Sequence, residues 1–244
     1  PGSPIRQHHK DIAYAVQHLT ETLLLKIVAF TKEVTKERYL CLAGGVALNC
    51  LAVEKIILSK LFDNIFIQPA ADDSGTALGS ALYLHYLGSP CVGRESLSQV
   101  YWGPSHDDTD IASALSRRKS FSYQRLADCC KDTARLINEG SIVGWFQERM
   151  EFGPRALGNR CILASAAEPS VKGKINARVK YREYFRPFSP AVLDRFASDY
   201  FEIDHCGKHV YPFMLATCRV KEHMAKRIPS VVHEDGTSRI QIVH

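Results

Sequence analysis

No apolar run in this 244-residue chain approaches the roughly 20 residues needed to cross a bilayer. The longest, Leu23–Leu25 followed by Ile27–Phe30, is interrupted by Lys26, so no membrane partner is expected. The opening PGSPIRQHHKD lacks the shape of a signal peptide, and a cytoplasmic address is expected. Internal repeats, low-complexity tracts and coiled-coil heptads are absent too. None of the eight cysteines forms a CxxC pair, which removes the commonest zinc and dithiol signatures. Most lie in apolar stretches such as YLCLAGG and FMLATCRV and read as reduced, buried thiols. One metal alternative stays open: Cys206 with His205 and His209 (HCGKH), two histidines that a helix would place on one face, although Gly207 weakens that helix.

Acidic residues are scarce in one stretch. Between Arg149 and Arg186 stand nine basic residues, Arg149, Arg155, Arg160, Lys172, Lys174, Arg178, Lys180, Arg182 and Arg186. Against them are Glu151, Glu168 and Glu183, with Glu148 just before, so nine minus four gives +5, the formal net charge of the whole chain. A surplus concentrated this way and interleaved with Gly, Pro and Phe suggests a built anion pocket. A solvated basic helix face would alternate Lys with Glu. Gly153-Pro154 and Arg186-Pro187 suggest rigid loops that present Arg155 and Arg186 at fixed angles. Guanidinium groups so held form bidentate bonds to phosphate or carboxylate. A generic basic surface and a nucleic-acid surface are the competing readings, the second because Phe and Tyr interleave the charges.

The remaining 45% hydrophobic and 23% charged composition is that of a globular protein, one large domain or two ordinary ones. Ile12, Val16, Leu19, Leu23, Ile27 and Phe30 recur at helical spacing and predict a long amphipathic helix over 9–34. A strand at Tyr39–Ala43 leads into Gly44-Gly45 and a helix from Val46 to Lys60. A strand at Asn64–Gln68 leads into a small-residue helix ending at Gly88-Ser89-Pro90. This α-β-α-β-α order implies a sheet with helical connections. Residues 89–110 have no sustained period and hold the domain boundary. Beyond it the pattern predicts helices at Asp110–Arg117, Cys129–Asn138, Val171–Lys180 and Asp194–Phe201. Strands are predicted at Ile142–Phe146, Cys161–Ala164, Met214–Lys221 and Val231–Val243, the last with an Asp235-Gly236 hairpin signal.

Two further sites are local. Gly44-Gly45 at a strand-to-helix junction could bring backbone N–H groups to a phosphate, or form only a tight turn. Asn49, one turn on, could reach a ligand or bond its neighbours. Asp72-Asp73-Ser74-Gly75 reads either as a helix cap or as a carboxylate site for a hard cation, iron or manganese.

Four segments taken in order, AGGVALN (43–49), PAADDSGTALGSAL (69–82), MEFGPRALGNR (150–160) and REYFRPFSPAVL (182–193), resemble the NodU/CmcH O-carbamoyltransferase family. The likeness runs through nearly the whole chain, and MEFGPRALGNR with FRPF is its most specific part. The resemblance implies an α/β fold of two modules. Residues 1–95 would be the second half of a TsaD-like, actin/sugar-kinase-like carbamoyl-transfer domain, and 96–244 a YrdC-like carbamoyl-adenylation domain, both incomplete. It implies that carbamoyl phosphate and ATP, the latter with Mg2+, give carbamoyl-adenylate with release of pyrophosphate and phosphate. The carbamoyl group then passes to a hydroxyl of a small-molecule or sugar acceptor on a module holding Fe2+. Carried over by residue, Gly44, Gly45 and Asn49 would contact nucleotide, and Asp73 would ligate the metal. Arg149, Arg155, Arg160, Asn176, Lys180, Arg182 and Arg186 would line the adenylation site.

The chain departs from the family at Glu148 and Asp72, where glycine is usual, and at Cys161, where serine is usual. His8 and His9 are adjacent and do not supply the family's HxxxH metal motif, and no NTSFN-type segment is present. The chain is therefore expected to be an internal piece of a longer enzyme. Its expected partners are the acceptor and the missing N-terminal half of the enzyme, with a homodimer left open and nucleic acid disfavoured.

Overall fold

Residues 4–88, 93, 96–118, 120 and 122–244 are described in the computed structural model. Helix α1 (Gln7–Thr35) closes at Lys36, whose left-handed backbone (φ 57) turns its N–H onto Lys32 O. Strands β1 (Tyr39–Leu42) and β2 (Asn64–Ile67) pair in parallel, Tyr39 opposite Asn64 and Leu42 opposite Ile67. Between them the predicted single helix from Val46 to Lys60 is split into a 3-10 turn, Gly45–Leu48, and α2 (Cys50–Leu58). The break is Asn49, extended in backbone, whose side-chain oxygen accepts the Ala52 N–H and caps α2. Helix α3 (Gly75–Gly88) follows β2. Ser89, Pro90, Cys91, Val92, Arg94 and Glu95, within the predicted boundary, lie outside the described residues.

Helices α4 (Asp108–Ser116) and α5 (Cys129–Asn138) are each capped by an aspartate, Asp107 on the Asp110 N–H and Asp128 on the Lys131 N–H. An antiparallel pair follows, β3 (Val143–Phe146) with β4 (Arg160–Leu163), and then α6 (Val171–Arg178). The unpredicted strand β5 (Ala191–Leu193) runs into α7 (Asp194–Tyr200). Next come β6 (Thr217–Arg219), α8 (Glu222–Ala225), β7 (Thr237–Arg239) and β8 (Gln241–Val243). Strand β5 lies parallel to β8, and β6 antiparallel to β7.

The strands predicted at Met214–Lys221 and Val231–Val243 are thus much shorter. Met214 turns left-handed (φ 55) to end a 3-10 turn at Tyr211–Phe213. Asp235-Gly236 does turn the chain, with the Gly236 N–H on His233 O. It does so between a 3-10 turn at Pro229–Val231 and β7, not between two strands of a hairpin.

The architecture is mixed α/β. Its buried cluster takes residues from both sides of the 95/96 division: Val53, Ile56, Ile57, Ile65 and Ile67 from the first segment, and Phe201, Val210, Tyr211, Leu215 and Ile240 from the second. Cysteine burial is less uniform than predicted. Cys206 and Cys218 are buried and Cys50 and Cys161 partly so, while Cys41, Cys129 and Cys130 are exposed and Cys91 lies outside the described residues. The Cys206 thiol donates to Phe62 O at 3.3 Å, inside the core. Among the described residues no group of three or more His, Cys, Asp or Glu stands together to hold a metal. HCGKH is therefore a 3-10 turn, His205–Gly207, and it anchors the core.

That turn depends on a close approach. The fully buried Tyr211 ring lies so near Gly207 that an added Cβ would stand 2.5 Å from Cε2 and 2.6 Å from Cζ. The ring has no free space to retreat into. Gly207→Ala should therefore destabilise the fold by about 1–3 kcal/mol, read from urea denaturation midpoints at unchanged m. An unchanged midpoint would show that the ring is not held against the turn.

Candidate active site

The loop carrying MEFGPRALGNR is built around one carboxylate. Oε1 of Glu151 accepts the backbone N–H groups of Leu157 (2.6 Å), Asn159 (2.9 Å) and Arg160 (3.2 Å). Partial burial opposes its ionisation, but these backbone bonds outweigh it and hold the Glu151 pKa below the ordinary carboxylate value. The loop is tied down at further points. Asn159 donates to Arg149 O, while Tyr101 Oη and Gln241 Nε2 both donate to Leu157 O at 2.8 Å. Gly153, at φ 126, passes so close to Pro69 and Ala70 that a Cβ would stand 3.1 Å from Pro69 O. Only glycine combines that backbone with that approach.

From this loop Arg155 reaches the turn before α2, donating through Nη2 to Leu48 O at 3.1 Å. Its Nε is buried with no hydrogen-bond partner. Next to it is Arg239 on β7, which sequence reasoning missed; its Nε donates to Ser189 Oγ at 2.9 Å. Burial, then the nearby Arg155, and more weakly Arg182, push the Arg239 guanidinium below its usual pKa, while Cys50 acts the other way. Arg182 is likewise lowered by burial and by Arg186, with Glu183 acting the other way. Guanidinium groups stay charged at neutral pH, so these directions report burial first and neighbouring positive charge second. Among the described residues none of Arg155, Arg182 and Arg239 has a carboxylate partner.

The second basic loop is built in the same manner. Asn176, 1% exposed, donates to Tyr184 O (3.2 Å) and Arg186 O (2.9 Å) and accepts from Arg182 Nε at 2.7 Å. Arg182 also donates to Pro187 O and lies over the Phe188 ring, 4.6 Å from its centroid. The Asn176 amide is thus engaged in shaping the loop. Lys180, beyond the end of α6, acts electrostatically on Cys161. Arg149, Arg160 and Arg186 have exposed side chains, Arg186 within 3.8 Å of Glu183. The structure therefore brings Arg155 and Arg182 near Arg239, with Arg186 acting on Arg182 and Lys180 on Cys161.

In the first module the Gly44 N–H donates to Ala71 O at 2.7 Å, joining the glycine turn to the PAADD segment. Asn49 exchanges two hydrogen bonds with Gln17 of α1, at 3.0 and 3.2 Å, beside its capping bond. Gly45 opens the 3-10 turn. Asp72 accepts both the N–H and the hydroxyl of Ser74, which lower its pKa. Asp73 is exposed and contributes its backbone carbonyl to Thr76. With one exposed carboxylate and no clustered partner among the described residues, these residues alone do not fit an iron ion.

Two family models match the chain, the carbamoyltransferase N-terminus over residues 3–82 and the carbamoyltransferase C-terminus over residues 134–244. The chain belongs to the carbamoyltransferase family. Nodulation protein NolO of Bradyrhizobium diazoefficiens is 41% identical over 99% of this chain and 44% of its own length. Nodulation protein NolNO of Sinorhizobium fredii is 39% identical over 99% of this chain and 36% of its own. Nodulation protein U of Azorhizobium caulinodans is 31% identical over 99% of this chain and 40% of its own. The chain thus spans less than half the length of these relatives.

The departures from the family pattern have local explanations. Glu148 sits at φ 46, a backbone that glycine adopts freely, and its exposed side chain forms no ion pair among the described residues. Cys161 Sγ accepts the Gly158 N–H at 3.1 Å, a bond that a serine hydroxyl could equally accept.

The depressed pKa of Glu151 fixes the sign of a pH effect. Its contribution to stability is complete above the ordinary carboxylate pKa and is lost as pH falls through the lower folded value. Glu151→Gln should lower stability at pH 7 by about 1.5–3 kcal/mol and flatten the acid limb below pH 4.5, in denaturant titrations repeated at each pH. An acid limb identical in both proteins would contradict the role given to this carboxylate.

Proposed function

We propose that this chain carries the carbamoyl phosphate and ATP site of an ATP-dependent O-carbamoyltransferase. The supporting observation is Arg239 lying within reach of the charges of Arg155 and Arg182, none of the three forming an ion pair among the described residues, with the Arg155 Nε buried and unpaired. A phosphate or carbamoyl oxygen placed between them would relieve their mutual repulsion and take up that donor. In this reading residues 96–244 form the YrdC-like module: water cleaves carbamoyl phosphate to carbamate and phosphate, and a carbamate oxygen then attacks the α-phosphorus of ATP, giving carbamoyl-adenylate as pyrophosphate leaves. Arg155, Arg182 and Arg239 hold the anionic oxygens, and Lys180 and Arg186 add charge at the rim. Rigid presentation matters because chemistry of this type relies mainly on positioning and charge stabilisation. The TsaD-like module, of which residues 1–95 form part, then passes the carbamoyl group to an acceptor hydroxyl. Its iron needs ligands beyond Asp73, so no step is assigned to it here.

The contact from Arg155 to Leu48 O supports the pairing of the two modules, since it ties the arginine loop to the turn after Gly44-Gly45. A nucleic-acid reading draws on the exposed rings of Tyr181 and Tyr184 beside Lys180 and Arg186. Salt-dependent RNA binding that survives excess ATP and carbamoyl phosphate would favour it.

Saturating carbamoyl phosphate should raise the melting temperature of the chain by several degrees, as expected for a ligand that binds only the folded state. Arg155→Ala and Arg239→Ala should each abolish most of that rise. A rise retained in both variants would place the anion elsewhere.

In assays of carbamoyl-phosphate-dependent ATP–pyrophosphate exchange coupled to carbamoyl transfer, the chain by itself should show little or no activity. Robust exchange together with transfer would overturn the division of labour proposed between the modules.

A further inference from the structure

His233 follows the 3-10 turn at Pro229–Val231 and leads into the Asp235-Gly236 turn before β7. Its backbone N–H donates to Thr237 O at 2.8 Å, and its Nδ1 lies 3.2 Å from the Thr237 hydroxyl oxygen. That hydroxyl stands 2.7 Å from Asp235 Oδ1, which also accepts the Thr237 N–H at 2.9 Å. Partial burial opposes ionisation of Asp235, but these two bonds outweigh it and hold its pKa below the ordinary carboxylate value. At neutral pH Asp235 is therefore ionised and can only accept. Thr237 gives its one hydroxyl proton to Asp235, and its oxygen is left to accept from His233 Nδ1. Burial pushes the His233 pKa below the ordinary imidazole value; Asp235 acts the other way, and the charges of Arg239 and of Lys172 on α6 add to the lowering. The ring is thus neutral, with its proton on Nδ1 and a bare lone pair on Nε2.

That lone pair is buried. Among the described residues the buried side-chain polar atoms without a partner are Gln68 Nε2, Arg155 Nε and His233 Nε2. The last two converge on Arg239, whose charge bears on the His233 ring and is itself pressed by Arg155. The strand explains the approach. Thr237 and Arg239 stand two residues apart on β7, so their side chains share one face, about 6.6 Å apart along the strand. His233, held on Thr237, is a neighbour of the arginine site.

We propose that His233 reads the carbamoyl group, its Nε2 accepting an N–H of the ligand's amide while Arg155 and Arg239 hold the anionic oxygens. This deepens the carbamoyl phosphate reading and rests on it. One orphan is a donor and the other an acceptor, so the ligand that suits both brings negative oxygens and an N–H together. Carbamoyl phosphate has both in one small molecule. Acetyl phosphate has the same phosphate and a methyl group in place of the amino group, and it would leave the lone pair buried and unpaired. A site built to bond a substrate N–H rejects the analogue that lacks it. ATP also carries an amino group, but on adenine, at the opposite end of the molecule from the phosphates that the arginines hold.

Isothermal titration calorimetry of the chain at neutral pH, with carbamoyl phosphate and with acetyl phosphate, tests this. Carbamoyl phosphate should bind at least tenfold more tightly. His233→Ala should erase that preference by weakening carbamoyl phosphate alone, with acetyl phosphate held as before. His233→Gln, whose amide oxygen can reach the place of Nε2, should restore part of it, which a purely structural role would not produce. If His233→Ala does not fold, His233→Leu, closer in volume, takes its place. Equal affinities of the unsubstituted chain for the two esters would overturn the inference and leave the arginine site standing. A preference that survives the loss of the imidazole would overturn it too. So would an ATP affinity that falls in His233→Ala while the preference between the esters persists, since the lone pair would then face adenine. Binding of neither ester, or undiminished binding of both in Arg239→Ala, would overturn the arginine-site reading and this inference with it.

Discussion

The arginine site depends on a negative charge. Glu151 lies inside the most basic stretch of the chain, and its single carboxylate oxygen gathers three backbone N–H groups of the loop that follows. Without that acceptor, three donors would have to be satisfied by water, and the path from Gly153 to Arg160 would rest on the scattered bonds of Asn159, Leu157 and Gly158 alone. With it, the loop becomes rigid enough to expose Leu157 O to Tyr101 and Gln241 and to aim Arg155 at the first module. The carboxylate is occupied by backbone, so it leaves the arginines themselves unpaired. A site for an anion must concentrate positive charge without neutralising it, and a backbone-bound carboxylate allows both.

That arrangement has an energetic consequence. Arg239 is repelled by Arg155 and by Arg182 in a partly desolvated setting, an unfavourable arrangement that surrounding structure must offset. The offset is visible in neutral groups: Asn176 and Pro187 O on Arg182, the Phe188 ring beneath it, Ser189 on Arg239 and Leu48 O on Arg155. Each partner fixes direction without removing charge. The buried, unpaired Nε of Arg155 is the residue of this compromise. The donor remains costly to the empty protein and available to a bound oxygen.

Much of this was legible in the chain. The motif segments, the order of the first five elements and the local charge surplus all come from residue types at fixed short spacing. What was not legible depends on contacts distant in sequence. Arg239 lies far outside the basic window, and only the fold brings β7 beside Arg155 and Ser189; the nearby Asp235-Gly236 turn was the one local signal. Glu151 was counted as a charge to subtract, because sequence cannot show that its partners are backbone groups six to nine residues on. Asn49 and Asn176 carry the polar amides expected of ligand contacts, yet their hydrogen bonds go to Gln17, Ala52, Tyr184 and Arg186. The helical period of α1 was legible, but periodicity reports that a face is apolar and not what covers it.

Two unsatisfied features among the described residues are different in kind. In the second half one is electrostatic and lies at a few guanidinium groups, a deficit of the kind a small anion can offset. In the first half the other is hydrophobic and spread along whole helices, α1 and α3, together with a two-stranded parallel sheet. The gain from covering that surface scales with the area removed from water. Yet the two halves share one core and meet where Arg155 reaches Leu48 O.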